Sequence, residues 1–158
     1  IFSNKVWKVL EQGTDELGPI GHGWTYSAHP IGAAAGVANL QLVDKMNLVS
    51  NAKEVGKYLL DELKNAFDSH PLVGEVRGDG MLASLEFLEN KESLKFFDPA
   101  KKIGMQVSAN LLKEGVIGRA MPHGDILGLA PPLCLSKSEA DIIVSSLKKS
   151  VDKVHSEI

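Results

Sequence analysis

The sequence has few of the features that mark several classes of protein. Its 158 residues include one cysteine, Cys134, so an internal disulfide is impossible, which fits a reducing compartment. Its apolar runs are far shorter than the ~20 residues of a membrane-spanning helix, and no run of like charge exceeds three residues. We therefore expect no membrane span, no nucleic-acid surface and a cytoplasmic location. The chain opens on Ile1 with neither a signal-peptide pattern nor an initiator Met, so we expect it to be the remainder of something longer.

The composition is that of an average globular protein. Apolar residues make up 44% and charged residues 23%, and 17 basic against 20 acidic residues give a net charge of −3. Disordered and fibrous classes are therefore excluded.

Hydrophobic spacing predicts helices in the first half of the chain. A run of small residues after Pro30 predicts a helix that is buried because it can approach other backbone closely. The predicted elements are a helix over 2–10 that closes at Gly13, a helix from Pro30 through Val43 with a bend near 46–47, and a helix over 49–67 that stops at His70-Pro71.

The second half of the chain reads as strand, strand, helix, strand, strand, helix. Two strands flank Gly78-Asp79-Gly80 in a hairpin pattern, and Ser136 with Glu139 forms a capping box before the last helix. The other elements are a helix that Asp98-Pro99 caps, with Ile103, Val107, Leu111 and Leu112 inward and Gly115 as its stop, and extended pieces at 116–119 and 125–130. This order predicts a small α+β layer, with a domain boundary near 68–73.

Most chemical motifs have ordinary explanations. Neither Gly21-His22-Gly23 nor Gly78-Asp79-Gly80 continues into a nucleotide-binding loop. His22 and His29 lack the dense ligand set of a zinc site, so we expect no metal. His70, His123 and His155 read as boundary or surface residues, Cys134 reads as a packed residue, and Arg77-Gly78-Asp79 matches an adhesion tripeptide by chance.

The segment over 21–30 is too polar for a core strand and too rich in aromatic residues for a simple linker, which is typical of a loop that faces a ligand. This loop offers an anion-binding site just before a helix, formed by backbone N–H groups and the hydroxyls of Thr25, Tyr26 and Ser27. The alternative is that Thr25 or Ser27 simply caps the helix at Pro30.

Arg119 stands in an otherwise apolar stretch over 112–132 and therefore needs a partner. Its planar guanidinium suits a carboxylate ligand. The alternative is an internal ion pair with an acid such as Glu86 or Glu75.

Four segments together resemble the C-terminal part of the class III (omega) aminotransferases, which are pyridoxal-phosphate enzymes of fold type I. They are GHGWTYSAHP at 21–30, GEVRGDGM at 74–81, IGR at 117–119 and APPL at 130–133. The match runs in order from about Gly13 to Val154. Within the family, the sequence most resembles the omega-amino acid:pyruvate transaminases.

The resemblance implies a fold, a cofactor and site residues. The fold is α/β, with 1–70 as a remnant of the large cofactor-binding domain and connecting helices, and 71–158 as the small C-terminal α+β domain. The cofactor is pyridoxal 5'-phosphate (PLP), whose phosphate Thr25 binds in the neighbouring subunit while Trp24 walls the pocket. Arg119 matches the mobile arginine that binds the substrate carboxylate. These roles imply a homodimer whose active site is shared across subunits.

The family's catalytic lysine, which forms the Schiff base with the cofactor, lies upstream of the threonine loop and has no match here. Lys5 and Lys8 do not stand in its motif. We therefore expect this chain alone to be inactive, and the intact enzyme to move an amino group from an amine or omega-amino acid to pyruvate or a similar keto acid. The alternatives are a non-catalytic dimerisation or assembly module, and a mutase or decarboxylase of the same fold.

Overall fold

A computed structural model describes residues 2–19, 21, 23–123 and 125–158. The chain forms two compact units, residues 1–39 and 40–158. The helices and strands are α1 (Asn4–Leu17), α2 (Pro30–Lys45), α3 (Leu48–Phe67), β1 (Val73–Asp79), β2 (Leu82–Phe87), a 3-10 turn (Pro99–Lys101), α4 (Ile103–Lys113), β3 (Arg119–Ala120), β4 (Ile126–Leu129) and α5 (Lys137–Glu157). The predicted division into parts of two enzyme domains, 1–70 and 71–158, stays a prediction.

Helix α1 is longer than the sequence predicted. It begins where the Ser3 hydroxyl accepts a hydrogen bond from the N–H of Val6, and it runs through Gly13 to Leu17. One glycine inside a helix costs only about 1 kcal/mol, too little to end it. The helix ends instead at Gly18, whose φ of 88° suits glycine.

Helix α2 begins at Pro30 as predicted, but the expectation that it is buried is wrong for this chain. None of its residues is buried, and its run of alanines and glycines is exposed. Small residues allow close approach to other backbone without enforcing it. The predicted break near 46–47 is confirmed, because Asn47 has a φ of 50° between α2 and α3.

A four-stranded antiparallel sheet in the order β1-β2-β4-β3 forms the second unit with α3, α4 and α5. The predicted order of strands and helices is confirmed. Alternate residues of β2 and β4 are buried against the helices, because side chains along a strand alternate between the two faces of a sheet. Fully buried large side chains come from every layer: Leu59, Leu63 and Phe67 of α3, Leu85 and Phe87 of β2, Leu127 of β4, Ile103, Val107 and Leu111 of α4, and Leu147 and Val151 of α5.

The hairpin between β1 and β2 turns over Gly80-Met81, and Gly80 has a φ of 53°. Helix α3 approaches this turn so closely that a Cβ atom on Gly56 would lie 2.0 Å from the carbonyl oxygen of Gly80. The absence of a side chain at Gly56 therefore sets the distance between the helix and the hairpin.

His70 is buried, not the boundary or surface residue that the sequence indicated. Its Nδ1 accepts a hydrogen bond from the N–H of Leu72 at 3.2 Å, and its Nε2 lies 3.2 Å from Oδ1 of Asp152. Burial lowers the pKa of His70 and Asp152 partly opposes that shift; His155 and Lys148 nearby also lower it. The His70 imidazole thus connects the start of the sheet to α5.

Three further details correct the sequence interpretation. Asp98 caps the 3-10 turn rather than α4, which begins only after Lys102 adopts a φ of 51°. Leu112 is exposed, because Ile103, Val107 and Leu111 already fill the buried face of α4. Cys134 is exposed in a turn, while the neighbouring Leu135 takes the buried position.

The third and fourth strands are also shorter than predicted. Of the extended piece over 116–119, only Arg119 belongs to a strand, which continues to Ala120. The Ser108 hydroxyl donates to the carbonyl of Gly118 at 2.6 Å, so the segment before the strand is bound to α4. Strand β4 ends at Leu129, just before Ala130-Pro131-Pro132.

Candidate functional site

One row of residues crosses the face of the sheet that points away from the helices. Arg77 on β1 pairs with Ser84 on β2, Ser84 pairs with Gly128 on β4, and Gly128 pairs with Arg119 on β3. Residues directly opposite each other in an antiparallel sheet present their side chains to the same face. The register therefore brings the two arginines to one surface, separated by a serine and a glycine.

This row lies in a cleft of about 630 Å³. Arg77 and Arg119 are the charged residues among the described residues that line it. The lining is otherwise mostly apolar, with Leu82, Ile117, Met121 and Leu129 among its members. An apolar cleft with a few placed cations suits a small organic anion.

Arg77 is held by two carboxylates. Its Nη1 lies 2.6 Å from Oε2 of Glu75 and 2.6 Å from Oε2 of Glu86. The Glu86 hydrogen bond is the main cause that raises the pKa of Arg77 above its ordinary value. The acids considered as partners of Arg119 are thus bound to Arg77, so the internal-pair interpretation of Arg119 is wrong for these two acids.

The sequence did not identify Arg77 as a site residue, because Arg77-Gly78-Asp79 matches an adhesion tripeptide by chance. The available signal was its place in a predicted strand opposite another strand that carries Ser84 and Glu86. Alternation alone could put Arg77 and Glu86 on one face, but the register was needed to make them neighbours.

Arg119 is exposed, and its side chain has no hydrogen bond or ion pair with any residue that the structure describes. Its backbone is placed by β4 and by the preceding Gly118, where a Cβ atom would lie 2.8 Å from Leu111. The strand therefore starts close against α4, and Arg119 is presented to the cleft from a fixed backbone. A guanidinium placed in this way can bind a carboxylate.

Trp24 and Thr25 belong to the first compact unit, in the loop before α2. The loop folds on itself, because the N–H of Trp24 donates to the Ser27 hydroxyl at 3.1 Å and the N–H of Ser27 donates to the carbonyl of Trp24. Ser27 is therefore engaged within the loop rather than at the start of α2. His22, which the sequence analysis included in this loop, lies outside the described residues.

Thr25 is exposed, and neither its hydroxyl nor its N–H is hydrogen-bonded to any described residue. The helix-cap interpretation of Thr25 therefore finds no support. Two free donors on one residue fit an oxyanion such as a phosphate group.

The described part of the chain has neither a cluster of metal ligands nor a helix that could span a membrane. No three His, Cys, Asp or Glu side chains come together there in a way that could hold a metal ion. No helix among the same residues combines the length and the hydrophobicity that a membrane crossing requires.

Solved structures of transaminases have the fold of this chain. A transaminase from directed evolution by ancestral reconstruction superposes with a TM-score of 0.94 and 54% identity, over 100% of this chain and 35% of its own. The omega transaminase of Pseudomonas jessenii in complex with PMP superposes with a TM-score of 0.90 and 30% identity, over 99% of this chain and 34% of its own. The fold is thus that of a PLP-dependent transferase of fold type I.

The sequence model of the family described as aminotransferase class-III matches residues 1–151. A diaminobutyrate--2-oxoglutarate transaminase of Halomonas elongata is 53% identical over 98% of this chain and 33% of its own length. A putrescine--pyruvate aminotransferase of Pseudomonas aeruginosa is 34% identical over 97% of this chain and 32% of its own length. The chain belongs to the class III aminotransferases, whose cofactor is PLP, and it spans about a third of the length of the curated relatives it matches.

Proposed function

We propose that this chain is the C-terminal third of a transaminase that moves an amino group from an amine or omega-amino acid to pyruvate or a similar keto acid. Family membership and the share of each relative that the chain matches support this proposal. The observation that carries it is Arg119, an exposed arginine without a described partner in an otherwise mostly apolar cleft.

The names of the two relatives contain different acceptors, 2-oxoglutarate and pyruvate. Both are keto acids with a carboxylate next to the carbonyl carbon. The guanidinium of Arg119 in a mostly apolar cleft suits that shared group, because charge-assisted hydrogen bonds from arginine to a carboxylate are paired and directional. Arg119 would then orient the keto group toward the reacting centre.

Bound PLP supplies the electron sink that makes amino-group transfer possible. In this proposal Thr25 donates its hydroxyl and its N–H to the cofactor phosphate, and Trp24 lies beside it. The cofactor is that of the neighbouring subunit, so the enzyme is a homodimer with shared active sites. Its cytoplasmic location stays a prediction.

The role of Arg119 is tested in the complete enzyme by replacing it with alanine. The kcat/KM for pyruvate is compared with that for propionaldehyde, an acceptor without a carboxylate. We expect Arg119→Ala to lower the value for pyruvate about 10- to 100-fold, since a hydrogen bond to a charged group contributes ~1.5–3 kcal/mol. The value for propionaldehyde should change little. Equal losses for both acceptors would contradict the role.

Thr25 is tested by its effect on cofactor retention. Thr25→Ala should weaken PLP binding about tenfold, the loss of one charge-assisted hydrogen bond. Thr25→Ser keeps the hydroxyl and should retain most of the affinity. Spectrophotometric titration of the apoenzyme with PLP measures both, and equal affinity of the alanine variant and the wild type would contradict a phosphate contact.

The shared site is tested at limiting PLP by mixing two variants of the complete enzyme, one that binds PLP weakly and one that is inactive. One carries Thr25→Ala and the other lacks the cofactor-binding lysine of the complete enzyme. If Thr25 acts across the dimer, the mixed dimer contains one site with both residues intact, and activity returns at limiting PLP. No recovery after confirmed subunit exchange would contradict a role across the interface.

The 158-residue chain alone should bind no PLP covalently, because none of its lysines stands in the family's motif. Intact-mass spectrometry after PLP and borohydride is the measurement. Site-specific attachment of reduced cofactor to this chain, with accompanying amino-group transfer, would contradict the expectation.

A further inference from the structure

Two arginines and two acids share one face of the sheet, but only one arginine is bound by the acids. Arg77 holds both Glu75 and Glu86, while Arg119 has no partner among the described residues. Among the described residues that line the cleft, Arg119 is therefore the cation that no acid occupies. Arg119 stays unpaired with these acids because Arg77 binds both of them.

Glu86 is the acid that could compete for Arg119. Its side chain is only 22% exposed, so without Arg77 it would need another cation or a proton. Glu86 lies opposite Ile126 of β4, and Arg119 lies opposite Gly128 of the same strand. Two strand spacings and two residues along a strand give about 12 Å between the Cα atoms of Glu86 and Arg119.

That separation can be bridged by extended glutamate and arginine side chains. Two residues of β4 share this face between them, Ile126 opposite Glu86 and Gly128 opposite Arg119. Gly128 has no side chain, so the path over β4 is open on the side of Arg119. Glu75 lies one strand further away, on β1. Glu86 is therefore the relevant competitor, and an attached carboxylate competes strongly with a dissolved one because its effective concentration reaches the millimolar range.

We propose that Arg77 is a positioning residue: by binding Glu75 and Glu86 it keeps Arg119 available for the carboxylate of the substrate. The inference rests on the proposed function of Arg119 and adds a second arginine to it. Arg77 itself does not touch the substrate in this scheme. Its contribution is to occupy the acid that would otherwise neutralise the binding residue.

The test uses the complete enzyme with the variants Arg77→Met, Glu86→Gln and the double variant of both. The readout is the ratio of kcat/KM for pyruvate to kcat/KM for propionaldehyde. Arg77→Met should lower this ratio about tenfold, mainly through KM for pyruvate, because Glu86 then binds Arg119 in a charge-assisted pair. Glu86→Gln alone should leave the ratio within about threefold of the wild type.

The double variant makes the test decisive. With Glu86 neutral, nothing competes for Arg119, so the ratio should return to within about threefold of that of Glu86→Gln alone. A merely structural role of Arg77 predicts a loss for both acceptors and no such rescue. An unchanged ratio in Arg77→Met, or a lowered ratio that persists in the double variant, overturns the proposal.

Arg119→Ala separates this result from failure of the proposed function. If Arg119→Ala leaves the ratio unchanged, the proposed role of Arg119 fails. If it lowers the ratio while Arg77→Met does not, only the inference about Arg77 fails. Arg77→Lys is the conservative control and should keep the wild-type ratio, and Arg77→Gln replaces the methionine variant if that protein is insoluble.

Discussion

The contact between α3 and the β1–β2 turn predicts that Gly56→Ala destabilises the second compact unit. An alanine Cβ at this position would lie 2.0 Å from the carbonyl oxygen and 2.3 Å from the carbonyl carbon of Gly80. The obstacle is backbone, so no side-chain rotation relieves it. Either the helix or the hairpin must move.

Two opposing effects set the magnitude. Alanine is favoured over glycine inside a helix by about 1 kcal/mol. Overpacking costs about 1–3 kcal/mol, and contact with rigid backbone belongs at the upper end of that range. The free energy of unfolding should therefore fall by about 2 kcal/mol, which is about 6 °C in Tm for a chain of this size.

Gly104→Ala in α4 is the matched control. Its Cβ would meet its nearest neighbour, the carbonyl carbon of Asp125, at 3.4 Å, which is ordinary contact. Alanine should therefore be neutral or stabilising there by up to about 1 kcal/mol. Both variants add the same methyl group to a helix, Gly56 in the interior of α3 and Gly104 in the first turn of α4.

Urea unfolding should be followed by far-UV circular dichroism. Tryptophan fluorescence is unsuitable, because Trp7 and Trp24 both lie in the first compact unit. If Gly56→Ala proves as stable as Gly104→Ala, the close approach of α3 to the hairpin is refuted.

Two further stability predictions follow from His70 and from the capping box. The pKa of His70 in the folded state is lowered below its ordinary 6.5, so the native state binds fewer protons than the unfolded state. The free energy of unfolding therefore falls as the pH drops below about 6.5. Protonation of Nδ1 also removes the hydrogen bond that it accepts from the N–H of Leu72. Urea unfolding should show that the free energy of unfolding differs less between pH 7.5 and pH 5.5 in His70→Gln than in the wild type. An equal difference in both proteins would contradict the role of His70 in this pH dependence. Ser136→Ala should lower the free energy of unfolding by about 1 kcal/mol, because it removes the N-cap of α5. Ser156→Ala, near the end of α5, should lower it less in the same assay. Equal losses in the two variants would contradict the capping role of Ser136.

Local sequence signals located most elements but not all of their ends. Pro30, the capping box at Ser136 and the hairpin at Gly80 each act through the backbone of a few neighbouring residues, so they are readable without the fold. The end of α1 was missed because Gly13 is tolerated inside a helix and the positive φ at Gly18 ends it. Burial was misjudged where it depends on distant partners, as for His70 and Cys134.

The sequence alone determined the family resemblance, the order of strands and helices in the second unit, and Thr25, Trp24 and Arg119 as candidate site residues. Those conclusions rest on motifs and periodicity, which are local properties of the chain. Only the tertiary structure decided which arginine the acids bind, because ion pairing depends on strand register and not on sequence distance. Glu75 and Glu86 could have paired with either Arg77 or Arg119, and the register of β1 with β2 gives both acids to Arg77.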